Sequence, residues 1–370
     1  MSTPRSLALR IFTSLIMTSA LTEIPAAESL AWTTLHSLPD PVGFGGMFAG
    51  VSQGKLFAGG GSRFLDKPVW NGGTKDFSDA VFVLDDPKGS WRKLPDKLPA
   101  PIAHAACTAH GEAVLSAGGM NTEGALKSVQ RLSLDGNRLV VEALPDLPEP
   151  PVYAAAAVAG DMLLVTGGVT APSSTTPSRA CWALRLTGAA AWERMPDLPG
   201  EPGIVSSAGS DGTCFYVFGG MSYVPSENGK ARPVPLASVW RLDPATRTWT
   251  ALAHIPAPRV GAASPTWLLP HGRFLLAGGY GSVFPGAQKE HPGFEPETFV
   301  FDPEANTWAD GPALPCERKV DANSPTSPGP EPMVAAPAVL WRNLLVILSG
   351  EVRPATRTPA VVALPLPEAP

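Results

Sequence analysis

Charge is scarce in this sequence. Asp, Glu, Lys and Arg make up 16% of the 370 residues, and 28 basic against 33 acidic side chains leave a net charge of −5. These bulk values exclude a basic surface for nucleic acid. Beyond the N-terminal stretch there is also no apolar run long enough to cross a bilayer, so we expect no membrane span.

A composition suited to long helices is missing as well. The chain carries 42 Pro and 37 Gly, about a fifth of its residues. Each interior Pro costs a helix about 3 kcal/mol, which excludes a protein built from long helices. Disorder is excluded by the 44% hydrophobic content, which is ample for a core. What remains is a β architecture with many turns.

Metal-ligating residues are few and badly spaced. The six His show no metal-binding motif, and the four Cys (Cys107, Cys181, Cys214 and Cys316) lie far apart in sequence. We therefore expect no metal and no other cofactor. The cysteines are expected as buried or partly buried free thiols; disulfides are the alternative if the protein is exported.

The N-terminus has the order of a secretory signal. Arg5 and Arg10 precede an apolar stretch over residues 11–21, and the small residues Ala26 and Ala27 follow. The apolar stretch is too short to span a membrane. We predict that residues 1–27 are a signal peptide and that the mature protein is periplasmic or secreted. A tail without a targeting role is the alternative.

A short apolar strand that ends in glycine recurs six times. The equivalent glycines are spaced by 59, 49, 52, 59 and 71 residues. These spacings bracket the period of about 50 residues that is typical of kelch repeats. The six glycines are Gly60, Gly119, Gly168, Gly220, Gly279 and Gly350.

Each repeat contains three further predicted strands. One precedes the glycine-ending strand across a tight turn such as Gln53-Gly54, which supplies the positive φ of a two-residue hairpin. A third strand follows the glycines, and a fourth carries Trp or Leu-Pro. The second repeat has Val141 in the place of the Trp. Four strands in this order predict one antiparallel blade per repeat.

The two ends of the sequence complete each other. Residues 32–35 read as a fourth strand without the first three, and the last repeat stops after its third strand near residue 364. Joining them closes a ring and removes free sheet edges. We therefore predict an all-β fold, a six-bladed β-propeller of kelch repeats over residues 28–366, closed by the N-terminal strand.

Loop length predicts which face carries the site. The turns between first and second strands are short, whereas the connections after the glycines are long and variable, for example 221–236 and 351–358. Insertions cluster on the binding face of repeat folds, so we expect the site at the mouth of the central channel. Lys75 and Arg259 lie on or near this face and are candidate contacts for an anionic ligand; solvated surface charges are the alternative.

Glu351 and Arg357 form the most informative pair. Glu351 begins where the second strand of the last blade reaches the mouth, and Arg357 lies where the third begins. A carboxylate can exchange protons, whereas an Arg binds carboxylates through two parallel N–H groups. From the local sequence alone, a surface ion pair that closes a hairpin is the alternative.

The stretch Gly350-Glu351-x-x-Pro354-x-x-Arg357-Thr358 resembles the catalytic loop of the periplasmic sialic acid mutarotases, the N-acetylneuraminate epimerases. Segments 43–52, 56–61 and 71–75 resemble another blade of that family, and their early position resembles its cyclically permuted branch. The resemblance implies a six-bladed kelch propeller with Glu351 and Arg357 as catalytic residues. It also implies that the partner is a small sugar acid, a sialic acid or a relative, with no cofactor.

Two functions follow from this sequence. The first is a mutarotase that interconverts sugar-acid anomers by acid–base ring opening. The alternative is a non-catalytic kelch propeller that binds a protein or carbohydrate partner at the same face. A copper-radical oxidase is disfavoured, because the four tyrosines show no convincing pairing with Cys or His. The oligomeric state stays open.

Overall fold

The computed structural model describes residues 30–188, 191–226, 229–318 and 321–367. The predicted signal peptide, residues 1–27, lies outside these ranges. The described chain is all-β apart from two single-turn 3₁₀ helices, Val69–Asn71 and Gln288–Glu290. Within these ranges no helix has the length and hydropathy needed to cross a membrane.

The strands form six sheets of four main strands each, the blades of a propeller. The chain starts with β1 (Thr33–Leu35). Blade one contains β2 (Gly45–Ser52), β3 (Lys55–Phe64), β4 (Lys75–Phe77), β5 (Ala80–Leu84) and β6 (Arg92–Lys97). Blade two contains β7 (Ala106–His110), β8 (Ala113–Ala117), a small hairpin of β9 (Met120–Asn121) and β10 (Gly124–Ala125), β11 (Val129–Asp135) and β12 (Arg138–Leu144). Blade three contains β13 (Ala155–Ala159), β14 (Met162–Thr166), β15 (Cys181–Arg185) and β16 (Trp192–Met195).

The second half repeats this order. Blade four contains β17 (Ser207–Ser210), β18 (Phe215–Phe218), a hairpin of β19 (Met221–Pro225) and β20 (Ala231–Pro235), β21 (Val239–Asp243) and β22 (Thr248–Leu252). Blade five contains β23 (Leu268–Leu269), β24 (Arg273–Ala277), β25 (Thr298–Asp302) and β26 (Thr307–Asp310). Blade six contains β27 (Ala338–Trp341), β28 (Leu344–Arg353) and β29 (Thr356–Pro365), with β1 as its fourth strand.

Several middle strands are largely apolar and fully buried because each blade is covered on both faces by its neighbours. All five residues of β5 and of β8 are buried. The turn between β2 and β3 has Gln53 at φ 52° and Gly54 at φ 69°, the left-handed pair of a two-residue hairpin. The predicted strand and turn pattern is thus confirmed.

The N-terminal strand closes the ring as predicted. In β1, Thr34 lies opposite Val362 of β29 in an antiparallel register. The indole of Trp32 donates a hydrogen bond of 2.9 Å to the carbonyl of Pro312 in the neighbouring blade five. Phe82 of blade one and Trp341 of blade six are buried in one apolar cluster across the seam. The closure therefore buries a core as well as a sheet edge.

Fourth-strand tryptophans tie consecutive blades together. In five blades the indole N–H donates to a backbone carbonyl of the preceding blade at 2.8–2.9 Å. The five are Trp32, Trp91, Trp192, Trp249 and Trp308. Blade two, with Val141, lacks this donor; there the Asp96 carboxylate of blade one accepts from the amide of Leu139 and from Arg138 Nε.

A closed ring of backbone hydrogen bonds surrounds the central channel. One residue per blade, within or ahead of its first strand, has a left-handed φ of 47–70°. The amide of each donates to the carbonyl of its counterpart in the preceding blade, at 2.8–3.2 Å, until the circle closes. We call these six the channel ring: Gly46, His104, Tyr153, Val205, Gly261 and Ala335.

Two predicted connections are more ordered than expected. Segment 221–236 contains the hairpin of β19 and β20, and β28 and β29 extend toward the mouth until only Pro354 and Ala355 connect them. This short turn is possible because Ala355 adopts a φ of 54°. The segment 351–358 is therefore a hairpin tip rather than an open loop, and its geometry fixes Glu351 opposite Arg357.

The four cysteines are free thiols, as expected. Burial raises the pKa of Cys107 and of Cys181 to about 12, so both stay protonated and unreactive at neutral pH. Cys316 is exposed, which corrects the expectation that all four are at least partly buried. It lies in the mouth-side connection between blades five and six.

Candidate active site

A cavity of about 350 Å³ opens at the mouth of the propeller, above the channel ring. Five of the six ring residues line it, and all six line a narrower space of about 60 Å³ beneath it. The ring is therefore the floor of the cavity. The side walls come from the hairpin tip of blade six, from β4 of blade one and from the connection over residues 280–294 of blade five.

Glu351 and Arg357 face each other across the hairpin tip. They are register partners on β28 and β29, and Arg357 Nη1 lies 2.8 Å from Glu351 Oε2. The Arg357 side chain is 3% exposed and that of Glu351 is 23% exposed. The guanidinium is thus withdrawn from solvent, which is not the geometry of a surface ion pair. Both residues line the cavity.

Backbone groups position both side chains of the pair through hydrogen bonds. Glu351 Oε1 accepts a hydrogen bond of 3.1 Å from the amide of Ala355, and Arg357 Nε donates to the carbonyl of Ser62 at 3.2 Å. Arg357 Nη1 is buried without a hydrogen bond to any described residue, so its contact with Glu351 is electrostatic. A guanidinium short of acceptors is suited to an incoming anion.

Lys75 joins this pair. It lies on β4 opposite Phe64 and lines the cavity. No carboxylate of the described ranges forms an ion pair with its amine. Burial lowers the pKa of Lys75, and the charge of Arg357 lowers it further, whereas Glu351 raises it. Two cations against one carboxylate give this wall an excess of positive charge, which suits an anionic ligand.

Arg259, the other predicted contact, is not brought to the cavity. Its side chain is 4% exposed and lies within 3.8–3.9 Å of Glu295 and Glu297, over the ring of Phe299. It turns inward between blades, because these two carboxylates and the aromatic face offer it a buried position. Glu295 in turn accepts a hydrogen bond from the amide of Gly281. Arg259 therefore supports the 280–294 connection from below.

Two functional candidates missed by the sequence analysis lie on the cavity floor. His104 and Tyr153 are neighbours in the channel ring, and their side-chain rings are 4.9 Å apart. His104 Nε2 lies 3.2 Å from Ser62 Oγ. Burial, and then the charges of Lys75 and Arg357, lower the pKa of His104 well below its usual value. The imidazole is therefore neutral at neutral pH.

An aromatic wall faces the charged one. Tyr280 stacks on Phe294 at 5.5 Å, and His291 lies 5.1 Å from both Phe284 and Phe294. Burial and the charge of Glu351 raise the pKa of Tyr280 to about 12. The cavity thus offers charge on one side and a flat aromatic surface on the other, a combination suited to a ligand that has an anionic group and an apolar face.

The missed residues had a signal in the sequence. His104 and Tyr153 stand at the same place in their repeats, just before the first strand, where the other four repeats carry Gly, Val or Ala. Aligning the six repeats at that position would have placed both at the channel mouth. Within the described ranges, no group of three or more His, Cys, Asp or Glu side chains is arranged to hold a metal ion.

Comparison with known proteins is consistent with this fold. The family profile described as Kelch motif matches residues 206–254. A solved structure titled "Structure of YjhT" superposes with a TM-score of 0.58 at 16% identity, covering 89% of this chain and 95% of the other. At that identity the likeness bears on the fold alone.

Three curated relatives illustrate the range of similar sequences. The N-acetylneuraminate epimerase of Pasteurella multocida (strain Pm70) is 31% identical over 134 residues, 31% of this chain and 35% of the relative. The Kelch-like protein terF of Aspergillus terreus is 25% identical over 260 residues, 67% and 52% of the two chains. The human Kelch domain-containing protein 8B is 31% identical over 168 residues, 43% of each.

The matched segments thus span about a third to a half of the length of these relatives. They share the repeat pattern, and one of them is named as an enzyme whereas two are named only for their repeats. Together with the six sheets and the closed seam, this shows the fold: the chain is a six-bladed β-propeller in which residues 206–254 match the Kelch motif.

Proposed function

We propose that this protein is a mutarotase, an isomerase that interconverts the anomers of a sialic acid or of a closely related acidic sugar. The observation that carries the proposal is the Glu351–Arg357 pair, withdrawn into the wall of a mouth cavity beside Lys75, whose amine has no ion pair among the described residues. The pair joins a proton acceptor to an anion clamp. An anionic hemiketal needs both.

The reaction opens the sugar ring and closes it on the other face. The anomeric hydroxyl loses its proton, the bond between the anomeric carbon and the ring oxygen breaks, and a carbonyl forms. Glu351 is positioned to take that proton, because its carboxylate is held at the cavity by Ala355. After the carbonyl turns its other face to the hydroxyl, ring closure returns the proton.

Arg357 and Lys75 hold the carboxylate of the sugar. A guanidinium binds a carboxylate through two parallel N–H groups and thereby orients the ring. Lys75 adds a second positive charge on the same wall. General acid–base assistance of this kind contributes about 10²–10⁴ in rate.

Two further observations support the proposal. The epimerase of P. multocida, the relative named as an enzyme above, is named for the same substrate class. The N-terminal order of Arg5, Arg10 and an apolar stretch supports export to the periplasm or the medium, where free sugar acids are encountered. The kelch relatives without a named activity support the alternative, a propeller that binds a partner.

An anomer-resolved proton NMR time course tests the proposal. A sialidase releases α-N-acetylneuraminic acid, and the approach to the α/β equilibrium is followed with and without the purified protein. We expect equilibration faster than in buffer, in proportion to protein concentration. A rate equal to that of buffer, with the fold intact by circular dichroism, would overturn the mutarotase and favour partner binding.

A further inference from the structure

Ring opening needs a proton donor as well as an acceptor, because the ring oxygen must be protonated as its bond to the anomeric carbon breaks. Glu351 is ion-paired with Arg357, and an ionised carboxylate is an acceptor only. Arg357 cannot give up a proton usefully. The donor must therefore be another side chain that lines the cavity.

The other donors on the cavity wall are engaged within the protein or, like Lys75, are assigned to the carboxylate of the sugar in the proposed function. His104 has Nε2 at 3.2 Å from Ser62 Oγ, and its Nδ1 is packed against Gly46. The Tyr280 hydroxyl donates to the sulfur of Met221 at 3.6 Å. The Tyr153 hydroxyl, by contrast, has no hydrogen bond to any residue of the described ranges. It is a phenol on the floor of the cavity with its proton uncommitted.

The backbone fixes where this phenol stands. Tyr153 has a φ of 62°, a left-handed conformation that is energetically costly for a bulky residue. The channel ring holds it there, since its amide donates to His104 and its carbonyl accepts from Val205. Gly, used at two of the six ring positions, would avoid this cost. The strained tyrosine is retained beside the charged wall, which is typical of a functional position.

We propose that Tyr153 is the general acid of the reaction, a role that rests on the proposed mutarotase function. In the opening step Glu351 takes the proton of the anomeric hydroxyl, and the electrons of that O–H bond form the carbonyl. The electron pair of the breaking carbon–oxygen bond stays on the ring oxygen, which takes the phenolic proton of Tyr153. Closure on the opposite face runs the same transfers backwards, so no atom or electron is gained or lost.

The electrostatics of the cavity suit this role. Burial and the charge of Glu351 raise the pKa of Tyr153, whereas Arg357 lowers it. The phenol therefore enters the reaction protonated at neutral pH. When it has given its proton away, Glu351 has become neutral and the charges of Arg357 and Lys75 remain. The transient phenolate thus forms where positive charge is in excess.

The test compares two tyrosines that each lose only a hydroxyl. Tyr153→Phe should lower kcat for anomerisation by about 10²-fold with KM changed less than about threefold, because an acid acts in the transition state. Tyr216→Phe is the matched control. Its hydroxyl donates to Asp211 on the opposite face of the propeller, so its loss should leave kcat unchanged. Thermal melts confirm that both variants fold.

A second readout separates acid catalysis from packing. Replacing Tyr153 by a fluorinated tyrosine of lower pKa should move the alkaline limb of the kcat–pH profile to lower pH, which a structural role would not do. If Tyr153→Phe retains half or more of the wild-type kcat, or if the fluorinated protein keeps the wild-type profile, the acid assignment is wrong while the mutarotase stands. If the wild type itself does not exceed buffer, both are wrong.

Discussion

Both faces of this propeller carry ion pairs between an Arg and a carboxylate, but the pairs differ in their exposure to solvent. On the mouth face Arg357 lies 2.8 Å from Glu351; on the opposite face Arg185 lies 2.7 Å from Asp161. The distances are nearly equal. The exposure is not, since the Arg357 side chain is 3% exposed and that of Arg185 is 54% exposed.

The comparison teaches that the exposure of the Arg side chain, rather than the distance between the charged atoms, decides what such a pair can do. An exposed pair is screened by water and contributes little, because each partner is nearly as well solvated alone. A buried guanidinium has given up its water and must find acceptors in the protein or in a ligand. We therefore expect pairs at the tight turns of the opposite face to be replaceable, whereas the mouth pair is buried and Arg357 Nη1 has no hydrogen bond to any described residue, which suits it to a ligand.

The largest expected effect is at Glu351. Glu351→Gln keeps the shape of the side chain and removes the proton acceptor, so turnover should fall by about 10²–10⁴ toward the spontaneous rate. Asp161→Asn, the same change on the opposite face, should leave turnover unchanged. NMR time courses of both variants measure the difference. Near-full anomerisation by Glu351→Gln would remove the distinction between the faces.

Arg357 should show the next largest effect. Arg357→Lys keeps the charge but loses the planar pair of N–H groups, and a hydrogen bond to a charged group is worth about 1.5–3 kcal/mol. We expect kcat/KM to fall by about tenfold or more, which is about 1.4 kcal/mol per tenfold. Arg185→Lys is the control and should keep wild-type kinetics. Equal kinetics for the two variants would show that burial of Arg357 has no functional weight.

Lys75 should give a smaller effect that depends on pH. Because burial and Arg357 lower its pKa from the usual 10.5, its amine becomes neutral at a lower pH than an exposed lysine does. Affinity for the sugar acid should therefore be highest below this lowered pKa and weaken as pH rises through it. Lys75→Met should abolish this slope and weaken binding at pH 7 by about fivefold, the size of an ion pair of about 1 kcal/mol.

Titration calorimetry across pH, in the Glu351→Gln background to suppress turnover, measures the Lys75 effect. Lys88 is exposed in a turn of the opposite face. Lys88→Met should leave both the affinity and its pH dependence as they are. A sloping profile that persists in Lys75→Met would assign the titration to another group.

The fold was predictable because the same strand pattern occurs six times in the sequence. Six copies of a strand ending in glycine fix the blade number, and residues 32–35 fix the closure, since a lone fourth strand has no other partner. What escaped prediction lies between the copies. The hairpin of β19 and β20 depends on strand pairing within one connection, which occurs outside the repeated pattern. The two-residue turn at Pro354 and Ala355 depends on a left-handed φ at Ala355, which the repeated pattern does not predict.

The site was predictable in part for the same reason. Glu351, Arg357 and Lys75 meet at one wall because strand ends converge at the mouth. Arg259 also starts at the mouth, but its side chain turns inward to Glu295 and Glu297, a choice that local sequence does not reveal. Tyr153 was missed because its direction is set by a left-handed backbone, which single-residue patterns do not show.

The channel ring has a mechanical consequence. An open row of hydrogen-bonded residues can widen at either end. The closed channel ring cannot widen at one blade without stretching the hydrogen bonds between the other blades. The diameter of the cavity floor is therefore a collective property of all six blades. The connections above it can differ in length and sequence from blade to blade, because none of them sets the spacing of the six ring residues, Tyr153 among them. The mouth connections can therefore change without changing the diameter of the channel ring.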